Sequence, residues 1–264
     1  MNFELNGKTA VVTGSTAGIG LAIAASLAAE GAAVVVNGRT EARVAAALEL
    51  IQKSTKGAKL RGVAADLGTA GGAGEMVRAV PEADVLVNNL GIYQAKPFAD
   101  ITDADWMHLF EVNVMSGVRL ARHYLPGMLR RDWGRIIFIS SESAQQIPSE
   151  MVHYGMTKTA QIAVARGLAE GVAGTGVTVN SILAGPTASE GVANFVADVA
   201  KQKGTSPAEV EQEFFKSVRP SSLLRRFETP EEVAAVVAFV ASARSVAING
   251  AALRAEGGVV RSIL

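Results

Sequence analysis

The chain contains no cysteine, which excludes disulfides, a thiol nucleophile and thiolate-held metals together. Histidines number only three, and neither they nor the scattered acids show metal-ligand spacing, so no metal site is expected. Charge of one sign is also missing: 25 basic and 25 acidic residues cancel, leaving no basic field for nucleic acid or an anionic membrane. Long apolar runs are absent as well. "VAAVVAFVA", positions 233–241, falls well short of the ~20 residues that span a bilayer. The first residues, "MNFELNGKTAVVTG", lack the basic start and apolar run of a secretory leader. These absences predict a soluble, cytoplasmic protein acting on a small molecule, with no nucleic-acid and no membrane partner.

What is present is alternation. Short β-branched runs at 9–13, 33–37, 60–65, 85–89, 135–140, 177–182 and 251–258 are separated by long alanine-rich helical stretches. The runs are almost continuously apolar, as strands become when helices cover both faces of a parallel sheet. Strand-helix alternation with right-handed crossovers predicts an α/β, doubly wound Rossmann fold around seven parallel strands. No repeat or linker divides residues 1–264, which read as one domain. One long insertion, 187–227, interrupts the pattern before the last helix and reads as a flap over the site.

The first strand runs into "TGSTAGIG", which offers Gly14, Ser15, Thr16, Gly18, Ile19 and Gly20 between strand and helix. Glycines at such a turn let backbone approach a pyrophosphate, and the helix N-terminus then presents unpaired N–H groups to the anion. The turn therefore predicts dinucleotide binding. The second strand ends in "VVVNGRTEAR", with no carboxylate where an NAD site would hold a ribose hydroxyl. Arg39 stands there instead and suits a 2′-phosphate, so NADP(H) is expected, with NAD as the alternative.

"SSESAQQIPSEMVHYGMTKTA" places Tyr154 and Lys158 one helical turn apart, with Ser141 thirteen residues before the tyrosine. A free phenol titrates near pH 10 and is a poor proton donor and acceptor at neutral pH. An adjacent ammonium would lower that value, so the pair reads as a proton-transfer site. Glu142, Gln145 and Met151 are candidates to line the substrate. His153 adjoins Tyr154 but faces another side of its helix, while His108, His123, Trp106 and Trp133 read as packing residues.

Together these motifs resemble the short-chain dehydrogenase/reductase family from about residue 5 onward. "TGSTAGIG" looks like TGxxxGIG, "NNLG" at 88–91 like NNAG, "VNV" at 112–114 supplies an asparagine, and "YGMTK" fits YxxxK. The nearest subgroup is the 3-oxoacyl-carrier-protein-reductase-like members. The resemblance implies hydride transfer between a nicotinamide and a ketone or secondary alcohol. Ser141 would donate to the substrate oxygen, Tyr154 would serve as acid/base, and Lys158 would hold the nicotinamide ribose. Asn113 would bind a water that links Lys158 to solvent. The same likeness implies cofactor contacts from Asp66, Leu67, Asn89, Gly91, Pro186 and Thr187, and a homotetramer built on the helices around 102–131 and 153–174. Leu90, the order Ala184-Gly185-Pro186 and Glu256 depart from the pattern. A catalytically silent dinucleotide-binding regulator of the same fold is the alternative reading.

Overall fold

A computed structural model describes residues 3–263, leaving aside the side chains of Asn194 and Phe195. Among these residues seven strands form one parallel sheet: β1 (Thr9–Val12), β2 (Ala33–Gly38), β3 (Leu60–Ala64), β4 (Val85–Asn88), β5 (Gly134–Ser141), β6 (Val177–Ala184) and β7 (Ala252–Ala255). Their spatial order is β3-β2-β1-β4-β5-β6-β7. The order reverses beside β1, so the connections leaving the paired strands β1 and β4 run to opposite faces of the sheet and open a crevice at their carboxyl ends. Strands β4, β5 and β6 are buried at every position, which is why the sequence shows apolar runs rather than alternation.

Helices α1 (Gly18–Ala29), α2 (Glu41–Ser54) and α9 (Pro230–Ala241) cover one face, with Ile23, Leu27, Ile51, Val233 and Val237 in that core. On the other face lie α3 (Ala70–Ala79), α5 (Ser116–Arg130) and α6 (Val152–Gly171), which bury Met76, Leu120, Met128 and Ala165. Several helix starts are set by local chemistry. Thr229 accepts from the Glu232 amide while the Glu232 carboxylate accepts from the Thr229 amide, and Pro230 occupies the first helical position.

One stretch differs from its reading in the sequence, and the structure gives a second its internal detail. The segment expected as one helix over 102–131 is α4 (Asp103–Phe110), a π-helical turn at Glu111–Met115, then α5. The wider turn carries Asn113, and such turns often accompany functional sites. The insertion at 187–227 is largely helical: α7 (Glu190–Lys203) and α8 (Pro207–Glu213) pack Val196, Ala200 and Val210 together before a second π turn, Phe214–Val218. No helix among the described residues is long and apolar enough to cross a membrane.

Candidate active site

The glycine turn is shaped by close approach. A Cβ on Gly20 would meet Asn89 Nδ2 and the Gly14 carbonyl at 2.4 Å each, so only glycine lets α1 start against the β4 loop. Asn89 uses that proximity, donating through Nδ2 to the carbonyls of Thr13 (2.9 Å) and Gly14 (3.0 Å). Helix α1 has no side-chain cap at Ala17, whereas Thr40, Thr69, Thr102, Ser189, Ser206 and Thr229 cap α2, α3, α4, α7, α8 and α9. Its leading N–H groups are left for an anion. They border a groove of about 290 Å³ between Gly14, Gly18, Ile19 and Gly91 and the flap residues Ser189 to Gly191. That uncapped N-terminus beside a glycine cradle fits a dinucleotide pyrophosphate.

Several of the residues expected at the cofactor have side chains that are buried or already bonded within the protein. Ser15 is fully buried and spends its hydroxyl on the Val12 carbonyl, while accepting from the Asn37 amide. Leu67 is buried in the core, and Thr187 bonds the Gly185 carbonyl. Asp66 is exposed and caps the Gly68 amide at 3.1 Å. Thr16 and Pro186 are half-buried at the edges of the groove's loops. Leu90 donates its amide to Thr13 Oγ1 (2.9 Å) and lies against Gly14, so its extra bulk borders the groove itself. Gly185 sits where a Cβ would strike Glu256 Cα at 2.7 Å, which explains how the Gly185-Pro186 order packs against the C-terminal strand. At the end of β2, Asn37 ties three strands together: Oδ1 accepts from Gly14, and Nδ2 donates to Val63 and Ala65, all at 3.1 Å. Arg39 beyond it is exposed and has no ion-pair partner among the described residues.

The chemistry-bearing side chains meet where β4 and β5 end. Ser141 closes β5, Tyr154 and Lys158 project from the first turns of α6, and Asn113 approaches from the π turn. Gly91 makes room for this meeting, since a Cβ there would lie 3.3 Å from Lys158 Nζ and 3.5 Å from Asn113 Oδ1. The Lys158 ammonium lies 5.6 Å from the Tyr154 ring centroid. It donates to the Ile139 carbonyl (2.9 Å) and to Gln161 Oε1 (3.2 Å). Burial pushes its pKa down to about 8, with Glu142 opposing that shift.

The phenol departs from its expected tuning. Burial and then the Glu142 carboxylate push the Tyr154 pKa above its ordinary value, while the bond to Ser141 and the charge of Arg219 pull the other way. The ammonium that was to lower it is committed to Ile139 and Gln161. The Ser141 hydroxyl donates to the buried Glu142 carboxylate and accepts from the Ser143 amide. Asn113 is engaged through its side chain and its carbonyl. The side chain spans the Ile92 backbone and Thr157 Oγ1, and the carbonyl accepts from Gln161 Nε2 at 2.6 Å.

Glu142 forms the inner end of an ion pair with Arg219, which reaches in from the flap (Nε–Oε1, 2.9 Å); both side chains are nearly buried. Beyond Arg219 a mostly apolar cavity of about 1030 Å³ lies between the flap and residues 146–151, and Met151 lines it. Gln145 is exposed and outside that lining, whereas its neighbour Gln146 is part of it. Tyr93, unmarked in the sequence, stands edge-on to Tyr154 with ring centroids 6.2 Å apart. His153 packs under Trp106 (5.8 Å), its pKa lowered by burial, and His123 bonds the Pro81 carbonyl; neither faces Tyr154. Among the described residues no cluster of acids and histidines could hold a metal.

Comparison with known proteins agrees with this geometry. The short chain dehydrogenase family model matches residues 8–200. The chain is 49% identical over its full length, and that of the relative, to the uncharacterized oxidoreductase YvaG of Bacillus subtilis. It is 33% identical to the 3-oxoacyl-[acyl-carrier-protein] reductase FabG of Aquifex aeolicus, covering 98% of this chain and all of that one. In structure it is similar to L-sorbose reductase from Gluconobacter frateurii, solved with NADPH and L-sorbose, with a TM-score of 0.94, 32% identity and full coverage of both chains. The protein belongs to the short-chain dehydrogenase/reductase family and is an oxidoreductase.

Proposed function

We propose that this protein transfers hydride between NADP(H) and a ketone or secondary alcohol, with Tyr154 as the acid/base. The observation that carries the proposal is the meeting of Ser141, Tyr154 and Lys158 at the carboxyl end of the sheet whose switch point, between β1 and β4, also holds an uncapped helix N-terminus. A bound nicotinamide would supply or accept the hydride. The pyrophosphate is read by the leading amides of α1, and the 2′-phosphate by Arg39, whose guanidinium has no competing partner. The NADPH in the sorbose reductase structure supports the same cofactor.

Tyr154 gives a proton to the carbonyl oxygen in reduction and takes one from the alcohol in oxidation. Its raised pKa keeps it protonated and suits the acid role. Ser141 orients the reacting oxygen once its proton is released from Glu142. Lys158 supplies positive charge to the phenol and hydrogen bonds to a ribose. The engaged four-residue set gives no support to a silent regulator. For assembly, the proposal is a homotetramer. Met107 on α4 and Ala163 and Gly167 on α6 are exposed, and small or apolar surfaces of this kind suit helix-on-helix contact.

The test follows NADPH absorbance across a panel of ketones, ketoses and 3-oxoesters. Wild type should oxidise NADPH with at least one substrate class. Tyr154→Phe should lose about 10²–10⁴-fold in kcat while binding NADPH as before. Activity of Tyr154→Phe within about tenfold of wild type would remove the proton-transfer role.

A further inference from the structure

Gln161 is fully buried on α6, three residues beyond Lys158, in a stretch otherwise made of alanine, threonine and aliphatic residues. A buried carboxamide needs partners on both ends. Gln161 finds them in two parts of the site: Oε1 accepts from Lys158 Nζ at 3.2 Å, and Nε2 donates to the Asn113 carbonyl at 2.6 Å. The carbonyl is available because the π turn at Glu111–Met115 shifts the backbone bonding of that helix, and Gln161 comes from a different element 48 residues away.

The orientation of the amide is fixed by its neighbours. An ammonium only donates and a carbonyl only accepts, so the oxygen must face Lys158 and the nitrogen Asn113. The groups around the ammonium are few. The Ile139 carbonyl approaches from β5, Gly91 from the β4 loop, Gln161 and the Tyr154 ring from α6, and Asn113 from the π turn. Glu142 is the charged group acting on it, and Tyr154 the other titratable one. Gln161 thus provides one of two oxygen acceptors that compensate the desolvated ammonium.

We infer that Gln161 is a positioning residue: by bridging the Asn113 carbonyl and the Lys158 ammonium, it holds Lys158 as an ammonium at a fixed distance from Tyr154. This inference rests on the acid/base reading of Tyr154 and Lys158.

Two substitutions act in opposite directions on the charged form of Lys158. Gln161→Met keeps an unbranched chain of similar length but removes the acceptor, so the ammonium loses stabilisation and its pKa falls. Gln161→Glu places a carboxylate at the same point and raises it. Each shift should be about one pH unit, the size expected when one charge-assisted bond is lost or strengthened. The readout needs no substrate: in full-length protein carrying [ε-13C]lysine, the NMR resonance absent from Lys158→Met identifies Lys158, and its titration is followed in wild type and both variants. Kinetics on whichever ketone wild type reduces should move the basic limb of kcat/KM for reduction in the same two directions. Lys158 titrating within about 0.2 unit of wild type in the variants, or both moving the same way, overturns the inference. Inactivity of Tyr154→Phe alongside unshifted Gln161 variants sinks only the role of Gln161; an active Tyr154→Phe sinks the acid/base reading beneath it.

Discussion

The cofactor half of the crevice and the flap are built on different physics. Around the glycine turn, Asn37, Thr13, Ser15 and Asn89 hold backbone to backbone through bonds of 2.9–3.1 Å, and the strands beneath them, β1, β2 and β4, are buried over nearly all of their length. The flap has a small apolar cluster of its own and adds charge to its backbone and hydroxyl ties: Leu223, Leu224 and Ser221 bond the Gly257 and Val259 carbonyls, while Arg219 pairs with Glu142 near the serine and Arg43 with Glu190 beside the glycine groove. One half is tied by bonds between backbone and neutral side chains. The other carries, besides its backbone ties, a nearly buried ion pair at its inner end, so loss of a charge should act on it first.

The largest separation between the halves should come from Arg219→Ala. Removing one partner of a nearly buried pair leaves the Glu142 carboxylate uncompensated, at a cost of about 3–5 kcal/mol. Hydrogen exchange should show residues 190–218 losing protection while β1 to β5 keep theirs. Equal loss in flap and sheet would mean that the two halves are one cooperative unit.

Arg39→Ala comes next, and it probes the cofactor half by function. A charge-assisted bond to a 2′-phosphate is worth roughly 1.5–3 kcal/mol, so NADPH affinity should fall about ten- to a hundredfold with NADH affinity unchanged. Titration of both cofactors decides the matter, and equal losses would reduce Arg39 to a loop support. The same half can be strained structurally with Asn37→Asp. The carboxylate keeps the acceptor for Gly14 and loses both donors to Val63 and Ala65, leaving like partial charges face to face. Denaturant melts should report a loss of about 1–3 kcal/mol, felt across the sheet and not confined to the flap.

The smallest effect belongs to Arg43 and Glu190. Both side chains are more than half exposed at 3.0 Å separation, and such pairs contribute at most about 1 kcal/mol. A double-mutant cycle with Arg43→Ala and Glu190→Ala should give a coupling below that limit, fading as salt is added. A larger, salt-insensitive coupling would show that the flap's outer edge is docked as firmly as its inner end.

Much of this molecule was legible because its signals are local. Apolar runs separated by helical stretches specify a parallel sheet covered on both faces, and the glycine spacing specifies a turn that a helix can enter. Tyr154 and Lys158 share a helix face by periodicity alone, and the missing acid after β2 was visible beside Arg39. The sequence by itself therefore determined the fold and the family, and it named the side chains that the fold brings together where β4 and β5 end. Tertiary structure decided what those side chains do to one another. Lys158 is drawn to Ile139 and Gln161, Ser141 to Glu142, and Glu142 to Arg219, 77 residues further along the chain. The π turn that offers the Asn113 carbonyl breaks helical periodicity by a single residue, too little for an apolar pattern to reveal. Period and turn chemistry act over a few residues, whereas the tuning of a proton depends on which distant charge the crossovers bring within a few ångströms.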